Sequence, residues 1–190
     1  MSKDFLALLK EKGAYLEGHF KLSSGLHSGA YVQCARVLQY PDVAYDLGAY
    51  LGEQFKGNRI DVVLSPALGG ILIGHEVARE LGCRCVFGER ENDSMKLRRG
   101  FEIYEGEHCL IVEDVITTGK ATREMWDIVV NNKGTVAGVG CIVNRSEGFS
   151  VSVPLFHIVR LKIENYQPEQ CPMCQKNEPI TSPGSRWGKK

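Results

Sequence analysis

Two adjacent acids followed by a threonine-rich turn form the segment of this chain that is best suited to chemistry. The apolar run Cys109–Val112 is followed by Glu113, Asp114 and residues 115–121, Val-Ile-Thr-Thr-Gly-Lys-Ala. Carboxylates at the end of a buried strand are costly unless they meet a cation or hydroxyl groups. Backbone N–H groups in a turn that leads into a helix bind anions such as phosphate. The segment therefore offers acceptors for sugar hydroxyls or a metal ion and donors for a phosphate, unless the two acids only cap a helix.

Two common phosphate-binding motifs do not fit this chain. A P-loop needs a glycine five residues before its Gly-Lys pair and a serine or threonine after it, where this chain has Asp114 and Ala121. A dinucleotide-binding fingerprint over residues 69–74 fails because Ile71 occupies the position of the middle glycine. The acid pair and its turn therefore need a different explanation.

The elements around this segment alternate between short apolar strands and helices. Periodicity predicts helices over residues 44–55, 71–81 and 122–132, and strands over residues 61–65, 85–87, 109–112, 136–143 and 156–161. This alternation indicates an α/β fold with a mainly parallel, buried sheet. Ligands of such sheets bind beyond the carboxyl ends of the strands, which here are residues 65–70, 88–91, 113–119 and 144–148.

Three further segments complete the predicted organisation. Residues 1–10 have the pattern of an amphipathic helix, and residues 92–106 are polar and charged, as in a mobile loop or a β-flap. We expect one domain over residues 1–166 and a loose extension over residues 167–190, which are rich in Pro, Gly and polar residues.

Composition excludes several classes of protein. The chain has 190 residues, with 23 Lys and Arg against 23 Asp and Glu, so its formal net charge is zero. A balanced chain lacks the excess cations that non-specific nucleic-acid binding requires, and we expect no nucleic-acid partner. No apolar run is long enough for a membrane span, and the N-terminus does not have the pattern of an export signal. We therefore expect a cytoplasmic protein with reduced thiols and no membrane partner.

A Cys-x-x-Cys pair stands near the C-terminus. Cys171 and Cys174 supply two of the four ligands that a structural zinc ion prefers. Cys83 and Cys85 complete such a set only if the fold brings them close, and no histidine follows at zinc-finger spacing. A surface turn without metal is the alternative, and we expect it over the zinc site.

Residues 112–121 resemble the phosphoribosyl pyrophosphate (PRPP) binding motif of type I phosphoribosyltransferases, and the form Asp-Val-Ile-Thr-Thr-Gly is similar to orotate phosphoribosyltransferases in particular. Other segments resemble that family in the same order along the chain: the N-terminal substrate segment 20–28, the pyrophosphate loop 65–71, the flexible catalytic loop 90–101 and the base site 144–148. The ending Cys-Pro-Met-Cys is similar to a shorter subgroup. The resemblance implies the type I fold, with a mainly parallel central sheet, a mobile loop and a small hood formed by residues 1–40 and a C-terminal part.

The resemblance also implies a reaction and roles for residues. The family transfers a phosphoribosyl group from PRPP to a base with Mg²⁺ as cofactor, and its members are usually homodimers. Glu113 and Asp114 would bind the ribose hydroxyls, and Lys96, Arg98 and Arg99 would act on the leaving group. The residues expected to bind PRPP are Leu68, Gly69, Arg90, Lys96, Glu113, Asp114, Val115, Ile116, Thr117, Thr118, Gly119, Lys120 and Ala121.

The identity of the base that accepts the phosphoribosyl group is the remaining question. Arg145 has a planar fork that matches a carboxylate such as that of orotate. The residues expected to bind orotate are Ser24, Gly25, Tyr31, Val32, Thr117 and Arg145. Two alternatives stay open: a phosphoribosyltransferase for another base, and a regulator on the same fold that only senses PRPP. The chain also departs from longer members at Ser23, Leu68, Gly69 and Glu91, which leaves the pyrophosphate half of the site less well defined than the sugar-phosphate half.

Overall fold

The structure, a computed structural model, describes residues 4–22 and 24–183. These residues belong to two compact units. One contains the chain up to Arg36 together with the chain from Lys162 onward, and the other contains Val37–Leu161. Ser23 lies outside the described residues, as do the first three and the last seven residues of the chain.

The second unit is built around a six-stranded sheet. Its strands are β3 (Val62–Pro66), β4 (Arg84–Glu91), β5 (Ser94–Leu97), β6 (His108–Ile116), β7 (Thr135–Asn144) and β8 (Leu155–Arg160), in the order β5-β4-β3-β6-β7-β8. All neighbours are parallel except β4 and β5, which form an antiparallel hairpin. The helices of this unit are α3 (Pro41–Glu53), α4 (Gly70–Leu81) and α5 (Lys120–Asn131). The predicted α/β fold with a mainly parallel sheet is confirmed.

The predicted helices and strands of this unit are all present, with shifted ends. The main difference is β6, which continues through Ile116, so Glu113 and Asp114 lie within the strand and not beyond it. Periodicity could not reveal this because two acids interrupt the apolar run by which a buried strand is recognised. The segment predicted as a loop or a flap contains β5, and its hairpin with β4 corresponds to the flap.

The first unit contains a smaller sheet that the sequence pattern did not predict. Its strands are β1 (Tyr15–Lys21), β2 (His27–Val32), β9 (Asn165–Tyr166) and β10 (Ile180–Thr181), in the order β10-β1-β2-β9. The predicted N-terminal helix is present as α1 (Phe5–Glu11), and α2 (Ala35–Leu38) leads out of the unit.

The expected loose extension is wrong for the described residues after position 166. They form a short 3₁₀ helix (Pro168–Gln170), the helix α6 (Pro172–Gln175) and β10, which pairs in parallel with β1. The backbone hydrogen bonds of that pairing hold a segment whose composition alone is typical of a loop. No helix of residues 4–22 and 24–183 is long and apolar enough to cross a membrane.

Candidate active site

The two acids of β6 belong to opposite faces of the sheet. Successive residues of a strand point to opposite sides, and the contacts agree. Glu113 meets Thr122 in the first turn of α5, whereas Asp114 lies against Gly69, which immediately precedes α4. The pair therefore reaches two different groups of residues at the carboxyl end of one strand.

Glu113 is almost fully buried, with 5% of its surface exposed, and it accepts a hydrogen bond from the Thr122 hydroxyl. Burial raises the pKa of the Glu113 carboxyl to about 7, repulsion from Asp114 and Glu124 acts in the same direction, and the bond from Thr122 opposes both. This carboxyl therefore keeps its proton to a higher pH than an ordinary glutamate. A cation or hydroxyl donors that bind beside it would favour the ionised form.

Asp114 lies against Gly69, a residue without a side chain. A Cβ built on Gly69 would overlap the carboxylate of Asp114, so this approach requires glycine. The neighbouring Leu68 side chain is 83% exposed, and the Ala67–Leu68 peptide bond is cis. Burial raises the pKa of Asp114, and hydrogen bonds from backbone N–H groups, including that of Val115, oppose the rise.

The turn after β6 leads directly into α5. Gly119 has φ +72°, and a Cβ there would overlap the Phe149 ring, so glycine is needed for both the backbone and the packing. The Lys120 N–H donates to the Thr118 hydroxyl at 3.3 Å. The first N–H groups of a helix have no partner within the helix, and the positive end of the helix dipole lies there. The sequence-based prediction of an anion-binding turn at this position has the required local geometry.

The four predicted loop cations form ion pairs within the described residues. Both carboxylate oxygens of Glu124 accept hydrogen bonds from Arg90, at 3.1 and 2.5 Å. The other three pairs link cations of β5 and of the two residues after it to acids of β4: Lys96 with Glu91 at 2.8 Å, Arg98 with Glu91 at 3.7 Å, and Arg99 with Glu89 at 2.8 Å.

These ion pairs differ in strength. Lys96, Arg98 and Arg99 are more than half exposed, and ion pairs between exposed side chains contribute little to stability. Arg90 is less exposed and is held by two bonds to a residue of α5, so we expect its pair to open less readily.

Arg145 follows β7 and lies beside the turn that follows β6. Its backbone N–H donates to the Ile116 carbonyl at 2.9 Å, which extends the pairing of β6 with β7 by one residue. Behind it, the side-chain Oδ1 of Asn144 accepts hydrogen bonds from the backbone N–H and the hydroxyl of Ser146, at 3.0 and 2.6 Å. This local network fixes the backbone from which the Arg145 side chain leaves the sheet.

Comparison with known proteins decides the family. Residues 36–175 match the family described as the phosphoribosyl transferase domain. The chain belongs to the phosphoribosyl transferase domain family. The matched range includes the acid pair, the turn, the flap and Arg145, so the resemblance inferred from the motifs is confirmed.

Relatives of this phosphoribosyl transferase domain protein match almost its whole length. An orotate phosphoribosyltransferase of Caldicellulosiruptor bescii is 50% identical over 188 residues, which cover 98% of this chain and 99% of that protein. An orotate phosphoribosyltransferase of Caldanaerobacter subterraneus subsp. tengcongensis is 52% identical over 171 residues, which cover 90% of each chain. The crystal structure of orotate phosphoribosyltransferase from Aeropyrum pernix has a TM-score of 0.70 and 27% identity, and the match covers 82% of this chain and 93% of that one.

Sequence reasoning missed two residues that hold the predicted site residues of this phosphoribosyl transferase. Thr122 binds Glu113, and Glu124 binds Arg90 and is 3.9 Å from Lys120. Both lie in the first turns of α5. Their proximity in sequence to the motif was the available signal, because a helix that starts beside an acid pair presents its first polar residues to it.

The remaining predicted residues lie in the first unit. Ser24 and Gly25 are in the turn between β1 and β2, and Tyr31 and Val32 end β2.

Cys171 and Cys174 flank Pro172 and Met173 at the start of α6, and their thiols lie near two histidines, His19 and His27. Cys171 is fully buried and Cys174 is half-buried, so the first of these thiols does not face solvent. Neither Cys83 nor Cys85 belongs to this group.

Proposed function

We propose that this protein is an orotate phosphoribosyltransferase. It would transfer the phosphoribosyl group of PRPP to orotate, giving orotidine 5-phosphate and pyrophosphate in pyrimidine biosynthesis. The observation that carries the proposal is the close approach of Gly69 to Asp114 at the end of β6, with an anion-binding turn in the following residues. The orotate phosphoribosyltransferases that are 50% and 52% identical support the choice of base.

The ribose 5-phosphate half of PRPP is proposed to bind along the end of β6 and the turn. Backbone N–H groups of residues 115–121 donate to the 5-phosphate, which the N-terminus of α5 also attracts. Asp114 and Glu113 accept hydrogen bonds from the ribose hydroxyls. Asp114 is the more accessible of the two, because Glu113 is buried and already accepts a bond from Thr122.

The carboxylates also favour the charge that develops during the reaction. Displacement of pyrophosphate at ribose C1 passes through a state with positive charge on the sugar, and no protein nucleophile is required. A carboxylate about 4–5 Å from that charge contributes roughly 3–4 kcal/mol at an effective dielectric of about 20. Asp114 therefore acts by electrostatic stabilisation, with Glu113 as the second acid.

The pyrophosphate half is proposed to bind over the backbone of Leu68 and Gly69, and a side chain at Gly69 would collide with Asp114. Mg²⁺ is the proposed cofactor, and the residues fit it. Asp114 is a hard oxygen donor beside an exposed loop, and Mg²⁺ usually keeps several waters and few protein ligands. When bound, the ion would neutralise charge on the phosphate oxygens. Lys96, Arg98 and Arg99 are proposed to reach the leaving group after their weak pairs on the hairpin open.

Arg145 is proposed to bind the orotate carboxylate with its planar fork, and Thr117 is proposed to hydrogen-bond the ring. The connection of Arg145 to the Ile116 carbonyl supports this assignment, because it ties the base-binding residue to the phosphate-binding turn. Ser24, Gly25, Tyr31 and Val32 are proposed to bind further polar edges of orotate. We also propose that the protein is a homodimer in the cytoplasm.

The test is a base panel. The protein is incubated with Mg²⁺, PRPP and one of orotate, uracil, adenine, hypoxanthine or nicotinate, and pyrophosphate release is measured. We expect release with orotate that is at least about 10³-fold faster than with uracil, because Arg145 would lose its carboxylate partner. Release with hypoxanthine or adenine and none with orotate would assign another base, and binding of PRPP without release with any base would assign a sensor.

A further inference from the structure

Two histidines and two cysteines of the first unit form one compact group. His19, His27, Cys171 and Cys174 each offer one ligand atom, and all four atoms lie within 4.8 Å of one another. Three of the side chains are buried, and Cys174 is half-buried. Four polar groups collected out of solvent would be costly without a partner that satisfies them together.

The register of the β1–β2 hairpin brings the histidines together. Lys21 pairs with His27, so His19, two residues before Lys21, is the diagonal neighbour of His27 on the same face of the sheet. The His19 Nε2 and His27 Nδ1 atoms are 3.0 Å apart. A hairpin thus supplies two imidazole nitrogens to one point.

The C-terminal turn supplies the two thiols to the same point. The Cys171 Sγ is 3.5 Å from His19 Nε2, and the Cys174 Sγ is 3.6 Å from His19 Nε2 and 3.2 Å from His27 Nδ1. The parallel pairing of β10 with β1 and a bond from the Thr181 hydroxyl to the His19 carbonyl at 3.3 Å hold the chain that follows the cysteines.

A carbonyl on the far side of the ring orients His19. The His19 Nδ1 is 2.9 Å from the backbone carbonyl oxygen of Glu178, an acceptor only, so Nδ1 carries the proton and Nε2 keeps its lone pair. A lone pair on Nε2 points to the thiols and to His27. This is the arrangement found in metal sites, where the second ring nitrogen of a ligating histidine donates to a carbonyl or a carboxylate.

We infer that His19 Nε2, His27 Nδ1, Cys171 Sγ and Cys174 Sγ bind one structural zinc ion. Bond lengths of about 2.0–2.1 Å to nitrogen and 2.3 Å to sulfur in a tetrahedron require separations of about 3.4 Å between the nitrogens and 3.6 Å between nitrogen and sulfur. The observed 3.0 Å and 3.2–3.6 Å are within a few tenths of an ångström of those values. The ligand set closes the coordination sphere, so the site has no open position for a substrate.

Charge and ligand chemistry favour zinc over the other common ions. Two thiolates and two neutral imidazoles give Zn²⁺ a neutral site, which is compatible with burial. Soft thiolates disfavour Mg²⁺ and Ca²⁺, and a tetrahedral set of two sulfurs and two nitrogens is typical of zinc. The ion would link the hairpin near the N-terminus to a turn 152 residues later in the chain. It therefore stabilises the first unit and does not take part in phosphoribosyl transfer.

The test is metal analysis of the full-length chain, produced without a histidine tag in medium that contains zinc, iron, cobalt, nickel and copper. After a chelator wash and desalting, elemental analysis is expected to find about one zinc per chain. The variant Cys174→Ser is expected to retain less than about 0.2 zinc per chain, because a structural site depends on all four ligands. The matched control Cys83→Ser, outside the group, is expected to retain the zinc of the parent protein.

A second measurement keeps the inference testable if Cys174→Ser does not fold. In the parent protein, alkylation of Cys171 and Cys174 is followed by mass spectrometry before and after zinc removal in mild denaturant. We expect removal to accelerate alkylation of both by about tenfold or more and to leave Cys83 unaffected relative to the same denaturant without chelator. A parent protein without stoichiometric metal, with iron in place of zinc, or with zinc that survives in Cys174→Ser would overturn the inference.

Discussion

Gly69 lies so close to Asp114 that an added Cβ would overlap all three atoms of the carboxylate. This contact joins the loop before α4 to the end of β6, two segments separated by more than 40 residues in the sequence. It defines the proposed pyrophosphate position, because only bare backbone fits beside the acid. A substitution at this glycine is therefore the most direct test of the geometry.

Gly69→Ala is expected to lower turnover by about tenfold or more, because the methyl group must displace Asp114 or the loop. The backbone at Gly69 is in the right-handed helical region, φ −58° and ψ −40°, so the effect is steric and not conformational. Steady-state kinetics with PRPP and orotate measure it. Gly57→Ala is the matched control, since a Cβ there meets nothing within 4 Å. Equal kinetics for both variants would contradict the proposed role of the contact.

Asp114→Asn is expected to reduce turnover by about 10²-fold or more, because the carboxylate stabilises the developing sugar cation. The melting temperature should not fall, because burial already raises the pKa of this carboxyl and the amide removes the cost of a buried charge. Asp127→Asn, at an exposed position of α5, is the control. Unchanged turnover in a folded Asp114→Asn protein would remove the electrostatic role.

Glu113→Gln tests the raised pKa of the buried acid. A carboxyl whose pKa rises from an ordinary 4.5 to about 7 on folding contributes stability that is fully present below about pH 4.5 and lost as the pH rises through 7. The variant lacks this loss. Its free energy of unfolding minus that of the parent should therefore increase by roughly 2–3 kcal/mol from pH 4.5 to pH 8. Urea unfolding at both pH values measures this gain. The exposed control Glu102→Gln should not show it, and a gain independent of pH would contradict the shift.

Arg145→Lys is expected to raise the KM for orotate by about tenfold or more and to leave the KM for PRPP within about twofold, because lysine cannot form the two parallel bonds of a guanidinium. Initial rates with each substrate varied in turn separate the two constants. Arg79→Lys, on the exposed side of α4, is the control. Equal rises in both KM values would indicate damage to the β6–β7 end in place of lost base recognition.

Mixed variants test the proposed homodimer. If a neighbouring subunit supplies Lys96 to the site that contains Asp114, mixing Lys96→Ala with Asp114→Asn creates hybrids with one intact site. Random exchange then restores up to about a quarter of the parent activity, because half of the dimers are hybrids and each has one working site of two. Activity after co-refolding is the measurement. Activity no greater than the mean of the two variants would contradict catalysis in trans.

Much of the second unit could be predicted because its signals are local. The spacing of apolar residues in α3, α4 and α5 and the short apolar runs of β3, β6 and β7 repeat within a few residues, and burial of one face requires that repeat. The β1–β2 hairpin was not predicted, because Tyr15–Lys21 is only partly buried and does not alternate cleanly. Its turn, with Ser24 and Gly25, was the available signal.

The sequence by itself determined the alternation of strands and helices and the position of the acid pair before a glycine-containing turn that leads into α5, because periodicity and turn chemistry act between near neighbours. Tertiary structure decided that Glu113 contacts Thr122 and that Asp114 contacts Gly69. It also decided which acids form ion pairs with the loop cations. It also decided that Cys171 and Cys174 join His19 and His27. These contacts depend on strand register and on chain closure over long separations, and no local pattern in a single sequence encodes the meeting of residues 152 positions apart.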